Sequence, residues 1–378
     1  MTPGPTQLPP EVLLAAARPI IHHRTGAYSE LFSRVLENLK YVFQTENDVI
    51  NFAASGTGAM ESAVVNLCSP GDEVLIASSG KFGERWRDLA EVYGLKADYR
   101  EYEWGKTVTP GDIEEALAAN PAVKAVFVTH SETSTGAVND IEAIGSIVAA
   151  TDAVLVSDSI SGMGSAELKT DAWQVDVVVA GSQKALMTPP GLAFVSVSDK
   201  ARGLAEKSTL PKYYFDWQKA RKALSGGQPQ TPFTPAVSLT VGLDAALGLI
   251  RDEGLDNLFR RHRILGRASR EAVKAMGLEL FSPDDDSSSS VTAIKVPEGI
   301  DDGKLRSLTR DKYGVQLAGG QGKIKGRIFR IGHCGYYNYS DIIVAITALE
   351  LALKEMGYTV QPGAGVARAE EVFGEDLV

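Results

Sequence analysis

The sequence predicts an α/β fold with a mainly parallel sheet, and three observations support this prediction. Short apolar runs alternate with amphipathic stretches from about Asp48 to Ser198, as in repeated strand and helix units. Most of these runs are almost continuously apolar, which is typical of strands buried on both faces. The chain has 378 residues, 44% hydrophobic and 23% charged, so its length and composition indicate a globular protein of two or three domains.

Seven apolar runs in the first half of the chain are predicted to be strands. They cover residues 49–53, 73–77, 97–102, 125–129, 153–157, 175–180 and 192–197. Helices are predicted between them over residues 58–67, 84–93 and 141–150. The alternation predicts a large domain in which helices cover both faces of a seven-stranded sheet.

The pattern changes after Pro211. The stretch 225–235 is rich in Gly, Gln, Pro and Thr and cannot be a helix or a central strand, and loops of this length are usually functional. A second unit follows, with predicted helices over 236–276, 304–313 and 339–356, strands over 291–296 and 327–331, and an acidic, serine-rich loop over 283–290. We therefore expect a large domain at 15–250 and a smaller C-terminal α+β domain at 251–378, which includes the N-terminal segment 1–14. The charged tail after residue 363 is expected to be loosely held.

Charge and cysteine content exclude several classes of function. With 38 basic and 48 acidic residues the net charge is -10, which disfavours binding to a nucleic acid. Cys68 and Cys334 are far apart and lack metal-binding spacing, so we expect no disulfide framework, no metal site and a reducing, cytoplasmic location. No export signal or membrane span is predicted.

A glycine turn, Ser55-Gly-Thr-Gly58, follows the first predicted strand and opens a helix. Such a turn presents backbone N–H groups to a phosphate at the helix N-terminus. The dinucleotide-binding fingerprint would need a third glycine where Glu61 stands, and the Walker lysine is also missing. The turn therefore indicates a phosphate site of another kind or, alternatively, a tight turn without a ligand.

Three charged residues lie on predicted strands or just after them. Asp158 ends a buried strand, where α/β sheets bind ligands, although it could instead cap a helix. Lys184 follows the next strand, and a desolvated amine can form a Schiff base. Arg330 lies on an apolar strand, where a carboxylate is the usual partner of the guanidinium group.

The phosphate turn and these three residues together predict a site for pyridoxal 5′-phosphate. In this interpretation Lys184 binds the cofactor covalently, Asp158 keeps the pyridine nitrogen protonated, and Arg330 holds the carboxylate of the substrate.

Five segments also resemble the class V aminotransferases, which are pyridoxal phosphate enzymes of fold type I, and the resemblance spans nearly the whole chain. It implies an aminotransferase that moves the amino group of alanine, serine or aspartate to a small 2-oxo acid such as glyoxylate or pyruvate, by ping-pong chemistry through a lysine aldimine. The segments are Pro3-Gly-Pro-Thr6, Ser55-Gly-Thr-Gly58, His130-Ser-Glu-Thr-Ser-Thr-Gly136, Gly181-Ser-Gln-Lys-Ala185 with Pro189-Pro-Gly191, and Phe329-Arg-Ile-Gly332.

The resemblance also implies a set of site residues around Asp158 and Lys184. Cofactor contacts are implied for Thr57, Gly58, Ala59, Phe82, Thr133, Ile160 and Gln183, and a substrate contact for Gly4 beside Arg330. Thr231 and Thr234 are implied to reach the phosphate of the partner subunit in a homodimer with a shared active site. This chain has Phe82 where the alanine–glyoxylate enzymes stack a tryptophan, and Ala59 where they have a histidine.

Three alternatives to an aminotransferase follow from the same residues. A β-lyase or cysteine desulfurase shares the fold and the lysine, but a desulfurase needs a reactive cysteine on a mobile loop, and Cys334 instead follows the strand of Arg330. A non-catalytic subunit could retain the fold for assembly, and a nicotinamide-dependent dehydrogenase is disfavoured by Glu61. The sequence leaves open the physiological donor and acceptor, the direction of flux, and whether the polar segment 22–24 contacts substrate or fixes the N-terminal segment.

Overall fold

The computed structural model describes residues 1–284 and 288–376, so part of the predicted serine-rich loop and the last two residues lie outside it. Within the described residues the strands are β1 Asp48–Phe52, β2 Glu73–Ser78, β3 Lys96–Glu101, β4 Ala125–Thr129, β5 Ser131–Glu132, β6 Ala137–Val138, β7 Val154–Asp158, β8 Val177–Gly181, β9 Ala193–Val197, β10 Val291–Lys295, β11 Ala318–Gly319 and β12 Ile328–Gly332. The helices are α1 Pro10–Ala16, α2 Gly26–Phe43, α3 Gly56–Leu67, α4 Lys81–Val92, α5 Pro110–Ala119, α6 Ile141–Ala149, α7 Asp199–Ala205, α8 Trp217–Leu224, α9 Val237–Glu253, α10 Leu255–Ala275, α11 Asp302–Asp311, α12 Tyr339–Glu355 and α13 Ala364–Asp376.

All seven predicted strands are confirmed in one sheet, with bounds within two residues of the prediction. Their order is β1-β9-β8-β7-β4-β2-β3. Only β9 runs antiparallel to its neighbours in this sheet, because the short segment 182–192 joins it to β8 without a crossover helix. β3 is an exposed edge strand, whereas α8 packs against the other edge, β1.

A second, antiparallel sheet, in the order β10-β12-β11, shares a hydrophobic core with α10, α12 and α13. The prediction of a loosely held tail is wrong, because residues 364–376 form α13 and pack against α10. Ala369, Val372 and Phe373 recur at helical spacing and are buried, and the Phe373 ring stacks on Tyr339 at 4.2 Å. Glu370, Glu371 and Glu375 are exposed, whereas Asp376 pairs with Arg260 and accepts a hydrogen bond from Tyr339.

The predicted helical region 236–276 consists of two helices, which separate at Gly254. This glycine has φ of 77°, a conformation that ends α9 and lets α10 start in a new direction. α9 packs with the core around the seven-stranded sheet, and α10 packs with the second sheet. The N-terminal segment contacts both parts of the chain. Val12 packs in the core around the seven-stranded sheet, and the carbonyl of Met1 accepts a hydrogen bond from the N–H of Gly332 in the second sheet. The domain division at residue 250 stays a prediction.

The sheet brings three chain segments to one edge. The parallel strands β4, β7 and β8 end near one another: Thr129 pairs with Asp158, and Asp158 pairs with Val179, two residues before the end of β8. The turn from β1 into α3 begins nearby, with Gly56 against Gly181. No helix in the described part of the chain is long and apolar enough to cross a membrane.

Candidate active site

A cavity of about 100 Å³ lies at this edge of the sheet. Seven of the predicted site residues line it: Thr57, Phe82, Thr133, Asp158, Ile160, Gln183 and Lys184. Five more residues complete the lining: Ser55 and Gly56, which belong to the predicted glycine turn, and Arg85, Ser131 and Ser161, for which no contact was predicted.

Lys184 extends from the segment after β8 into this cavity. Its Nζ donates a hydrogen bond to the carbonyl of Pro3 at 2.7 Å. Desolvation lowers the pKa of the amine, and the nearby guanidinium of Arg330 adds to the decrease. A lysine with a lowered pKa is more often neutral near pH 7, as a nucleophile or a proton acceptor must be.

The N-terminal segment covers Lys184. Thr6 donates from its N–H to the carbonyl of Gln183 at 3.2 Å and from its hydroxyl to the carbonyl of Lys184 at 3.1 Å. Gly4 has φ of 139°, and a Cβ there would overlap the end of the Lys184 side chain. The positive φ favours glycine at this position, and Gly4 lies beside the amine of Lys184.

Asp158 ends β7 and is almost completely buried. One carboxylate oxygen accepts a hydrogen bond from the Ile160 N–H at 2.9 Å. Burial raises the pKa of Asp158 to about 7, although the positive charges of Arg85 and Lys184 oppose the increase. A protonated ring nitrogen beside this carboxylate would favour its ionised form.

The N-terminus of α3 forms another side of the cavity. The Ser55 side chain does not cap this helix, so it leaves the first N–H groups available to a ligand. The Thr57 hydroxyl accepts a hydrogen bond from Arg85 at 3.1 Å. Ala59 is fully buried behind the turn, and its N–H is 3.4 Å from the carbonyl of Ser55.

A buried carboxylate, Glu132, positions Phe82. It accepts hydrogen bonds from the N–H groups of Phe82 and Gly83 at 3.0 and 3.1 Å, and from the N–H and hydroxyl of Ser134. Because these donors include the first turn of α4, the carboxylate caps this helix from a distance. It thereby holds Phe82 at the wall of the cavity.

Arg330 does not line the cavity but lies directly behind it. Its Nη1 donates to the carbonyl of Thr133 at 2.6 Å, and its Nε and Nη2 donate to the carbonyl of Gly319 at 3.1 and 2.7 Å. These bonds use three of its five N–H groups and leave two for a carboxylate. Burial lowers the pKa of Arg330 to about 10, so the side chain remains a cation near pH 7.

The segment with Thr231 and Thr234 lies away from the cavity of its own chain. Thr231 is buried, and its hydroxyl donates to the carbonyl of Phe233 at 2.7 Å, whereas Thr234 is exposed. Arg24 donates to the carbonyl of Thr231 at 2.8 Å and to the side chain of Gln230 at 3.0 Å. Within one chain, Arg24 therefore fixes the 230–231 segment.

Three site residues that were not predicted, Arg85, Glu132 and Ser161, lie close in sequence to residues that were. Arg85 follows Phe82 by three positions, so a helix places both on one face. Glu132 lies in the His130–Gly136 segment that carries the family resemblance. Ser161 directly follows Ile160, which was predicted to contact the cofactor. The hydroxyl of Ser161 is hydrogen-bonded to that of Thr133.

Comparison with known proteins agrees with this geometry. The sequence profile of the family Aminotransferase class-V matches residues 2–325. The chain belongs to the class V aminotransferases. This family membership makes it a pyridoxal phosphate-dependent transaminase of fold type I.

Three relatives illustrate the range of proteins that resemble this class V aminotransferase. The small subunit of a soluble hydrogenase from Synechococcus sp. (strain PCC 6716) is 44% identical, covering 99% of this chain and 97% of that protein. The serine–glyoxylate aminotransferase of Methylorubrum extorquens is 40% identical, covering 99% and 95%. The crystal structure of ureidoglycine–glyoxylate aminotransferase from Bacillus subtilis has a TM-score of 0.95 at 29% identity, covering 99% and 97%.

The cavity of this class V aminotransferase fits pyridoxal phosphate. The uncapped N-terminus of α3 suits the phosphate, Asp158 suits the ring nitrogen, and Lys184 supplies the amine. Gln183 Oε1 is buried without a hydrogen-bond partner among the described residues, which marks a position that a ligand or a water molecule completes.

We expect Arg330→Lys to raise the KM of both the amino donor and the 2-oxo acid by about tenfold or more. Lysine keeps the charge but loses the planar fork that holds a carboxylate with two hydrogen bonds. Cofactor affinity should stay the same, because Arg330 lies behind the cavity rather than at the α3 turn. Steady-state kinetics and a cofactor titration measure both effects, and an equal loss of substrate and cofactor binding would make Arg330 a structural residue.

Proposed function

We propose that this protein transfers the amino group of a small amino acid, such as alanine, serine or aspartate, to a small 2-oxo acid such as glyoxylate or pyruvate. The observation that carries the proposal is the placement of Lys184 and Asp158 in one cavity, with Arg330 directly behind it. The names of the Methylorubrum and Bacillus relatives, both glyoxylate aminotransferases, support glyoxylate as the acceptor.

The residues of this chain divide the work between them. Bound pyridoxal phosphate supplies the electron sink. Asp158 lines the cavity, and its ionised form would stabilise a protonated ring nitrogen. Lys184 Nζ accepts the proton from the Cα of the donor amino acid and returns a proton when the second substrate is aminated. The N-terminal segment around Gly4 shields this amine from water.

A half-reaction screen tests the proposal. The holoenzyme is mixed with single amino acids, and conversion of the cofactor to its amino form is followed by absorbance. The reverse reaction is then measured with single 2-oxo acids. We expect a fast response to at least one of alanine, serine and aspartate, and to glyoxylate or pyruvate. A holoenzyme that responds to none of these small substrates would contradict the proposal.

Family membership argues against a non-catalytic assembly subunit, although the Synechococcus relative is named as a hydrogenase subunit. The presence of Lys184, Asp158 and Arg330 in their expected places supports an enzyme instead. The purified protein distinguishes the two, since an assembly subunit need not bind the cofactor or convert it. A desulfurase is disfavoured because Cys334 is fully buried, and burial raises the pKa of its thiol to about 11.

We also propose that the protein is a cytoplasmic homodimer with a shared active site. Segment 230–235 contains two prolines, Pro232 and Pro235, and Arg24 donates hydrogen bonds to its first two residues. Thr234 is exposed and does not contact the cavity of its own chain, so its hydroxyl is available to a second subunit. Twofold symmetry would make the exchange reciprocal. The two free, buried cysteines fit a reducing cytoplasm.

Subunit mixing tests the shared site. We expect Thr234→Ala to weaken cofactor retention without disrupting the dimer. Inactive Lys184→Ala subunits mixed with subunits inactivated at positions 231–234 should regain activity, because one of the two sites in the hybrid receives both intact parts. A fully active monomer, or hybrids that form but stay inactive, would refute the proposal.

A further inference from the structure

We propose that Arg85 is part of the phosphate-binding site, where it orients the Thr57 hydroxyl and supplies a positive charge. This inference deepens the proposed function and rests on its cofactor. Arg85 lies on α4 at the wall of the cavity, one turn after Phe82.

The hydrogen bond between Arg85 and Thr57 fixes the direction of the hydroxyl proton. A guanidinium group has only donors, so Thr57 Oγ1 must be the acceptor in the 3.1 Å contact from Arg85 Nη1. A hydroxyl also has one proton to donate, and this proton must point away from Arg85. Because Thr57 lines the cavity in the first turn of α3, its donor is available to an anion at the helix N-terminus.

No carboxylate among the described residues forms an ion pair with Arg85, although its charge acts on Asp158 at longer range. Its neighbours on α4 behave differently, since Lys81 pairs with Glu84 at 2.7 Å and Arg87 pairs with Asp88 at 2.8 Å. The guanidinium of Arg85 instead lies 4.9 Å from the centre of the Phe82 ring, a contact that holds a cation without neutralising it. An unpaired, half-buried cation at a cavity wall favours an anionic ligand.

Two anions are expected in this cavity, the cofactor phosphate and the substrate carboxylate, and the phosphate is the better partner for the positive charge of Arg85. A helix N-terminus offers only about half a positive charge, whereas a phosphate ester carries close to two negative charges. The carboxylate of the substrate already has Arg330, on the side of Thr133. Thr57 connects Arg85 to the α3 turn and therefore to the phosphate.

Cofactor binding to Arg85→Gln tests the inference. The apoprotein is titrated with pyridoxal 5′-phosphate and separately with pyridoxal, which lacks the phosphate. We expect the Kd for pyridoxal phosphate to rise about ten- to a hundredfold, the range for a lost charged hydrogen bond, and the Kd for pyridoxal to stay the same. Arg87→Gln, a change two positions along the same helix, is the matched control and should change neither value.

The interaction of Arg85 with Thr57 gives a second readout. In a Thr57→Val background, Arg85→Gln should raise the Kd for pyridoxal phosphate by a smaller factor than in the wild type, because the oriented hydroxyl is already gone. An unchanged Kd in Arg85→Gln, or an equal loss of pyridoxal and pyridoxal phosphate binding, would overturn the inference while the cofactor assignment stands. Wild-type protein that binds no pyridoxal phosphate would overturn both.

Discussion

Lys184→Ala is expected to lower turnover by at least about ten-thousandfold, because it removes both the amine that binds the cofactor covalently and the group that moves the proton. The protein should still fold, since the Lys184 side chain makes its hydrogen bond to the N-terminal segment rather than within the core. The absorbance of the covalently bound cofactor should be lost.

Borohydride reduction followed by peptide mapping identifies the attached lysine. Lys212 is a suitable control, because desolvation also lowers its pKa although it does not line the cavity. Lys212→Ala should keep both the absorbance and the activity. A cofactor label on any lysine other than Lys184 would show that the assignment is wrong.

Asp158→Asn is expected to slow proton removal from the substrate by several orders of magnitude while the cofactor still attaches to Lys184. A neutral amide cannot stabilise a protonated ring nitrogen as a carboxylate does, so electron withdrawal weakens. Single-turnover kinetics measure the step directly. A rate close to that of the wild type would exclude Asp158 from the mechanism.

Asp158→Asn should also make the apoprotein more stable, although it slows catalysis. Burial raises the pKa of Asp158 from 3.8 to about 7, so the folded apoprotein binds this proton more tightly than the unfolded chain. The contribution of Asp158 to the free energy of unfolding therefore falls as the pH rises from 3.8 to about 7. Asparagine has no charge to bury, so apo Asp158→Asn should be more stable than the wild-type apoprotein at pH 8.

Urea unfolding of both apoproteins at pH 8 and at pH 5 checks this expectation. The advantage of the variant should be larger at pH 8 than at pH 5. A variant that is less stable than the wild type at both pH values would indicate that the ionised carboxylate stabilises the apoprotein.

The strands and the residues at their ends were predictable because both follow local patterns. Asp158 ends an apolar run and Lys184 follows the next one, and the carboxyl ends of parallel strands meet at one edge of a sheet. The antiparallel direction of β9 was harder to predict, since its five residues are as apolar as those of the parallel strands. Direction depends on the connection before a strand rather than on its composition.

Other parts of the site depend on long-range contacts that no local pattern shows. Pro3 contacts the amine of a residue 181 positions away, and Arg330 contacts Thr133 across 197 positions. The helix α13 was missed for a different reason, because its many charged residues obscured the apolar stripe that packs against α10. The role of the partner subunit stays a prediction.

The exposed edge strand β3 has a consequence for aggregation. An unpaired strand edge can add a strand from another molecule, and charged side chains along the edge oppose such pairing. β3 carries Lys96, Asp98, Arg100 and Glu101, and Arg100 pairs with Asp98 at 3.0 Å. A second β3 brought alongside would have to desolvate these charges, so the edge should resist the formation of extended intermolecular sheets. Replacing the charged residues of β3 with threonine or valine would make this edge prone to intermolecular strand pairing. The cavity would not be altered directly, because it is built on other strands of the sheet.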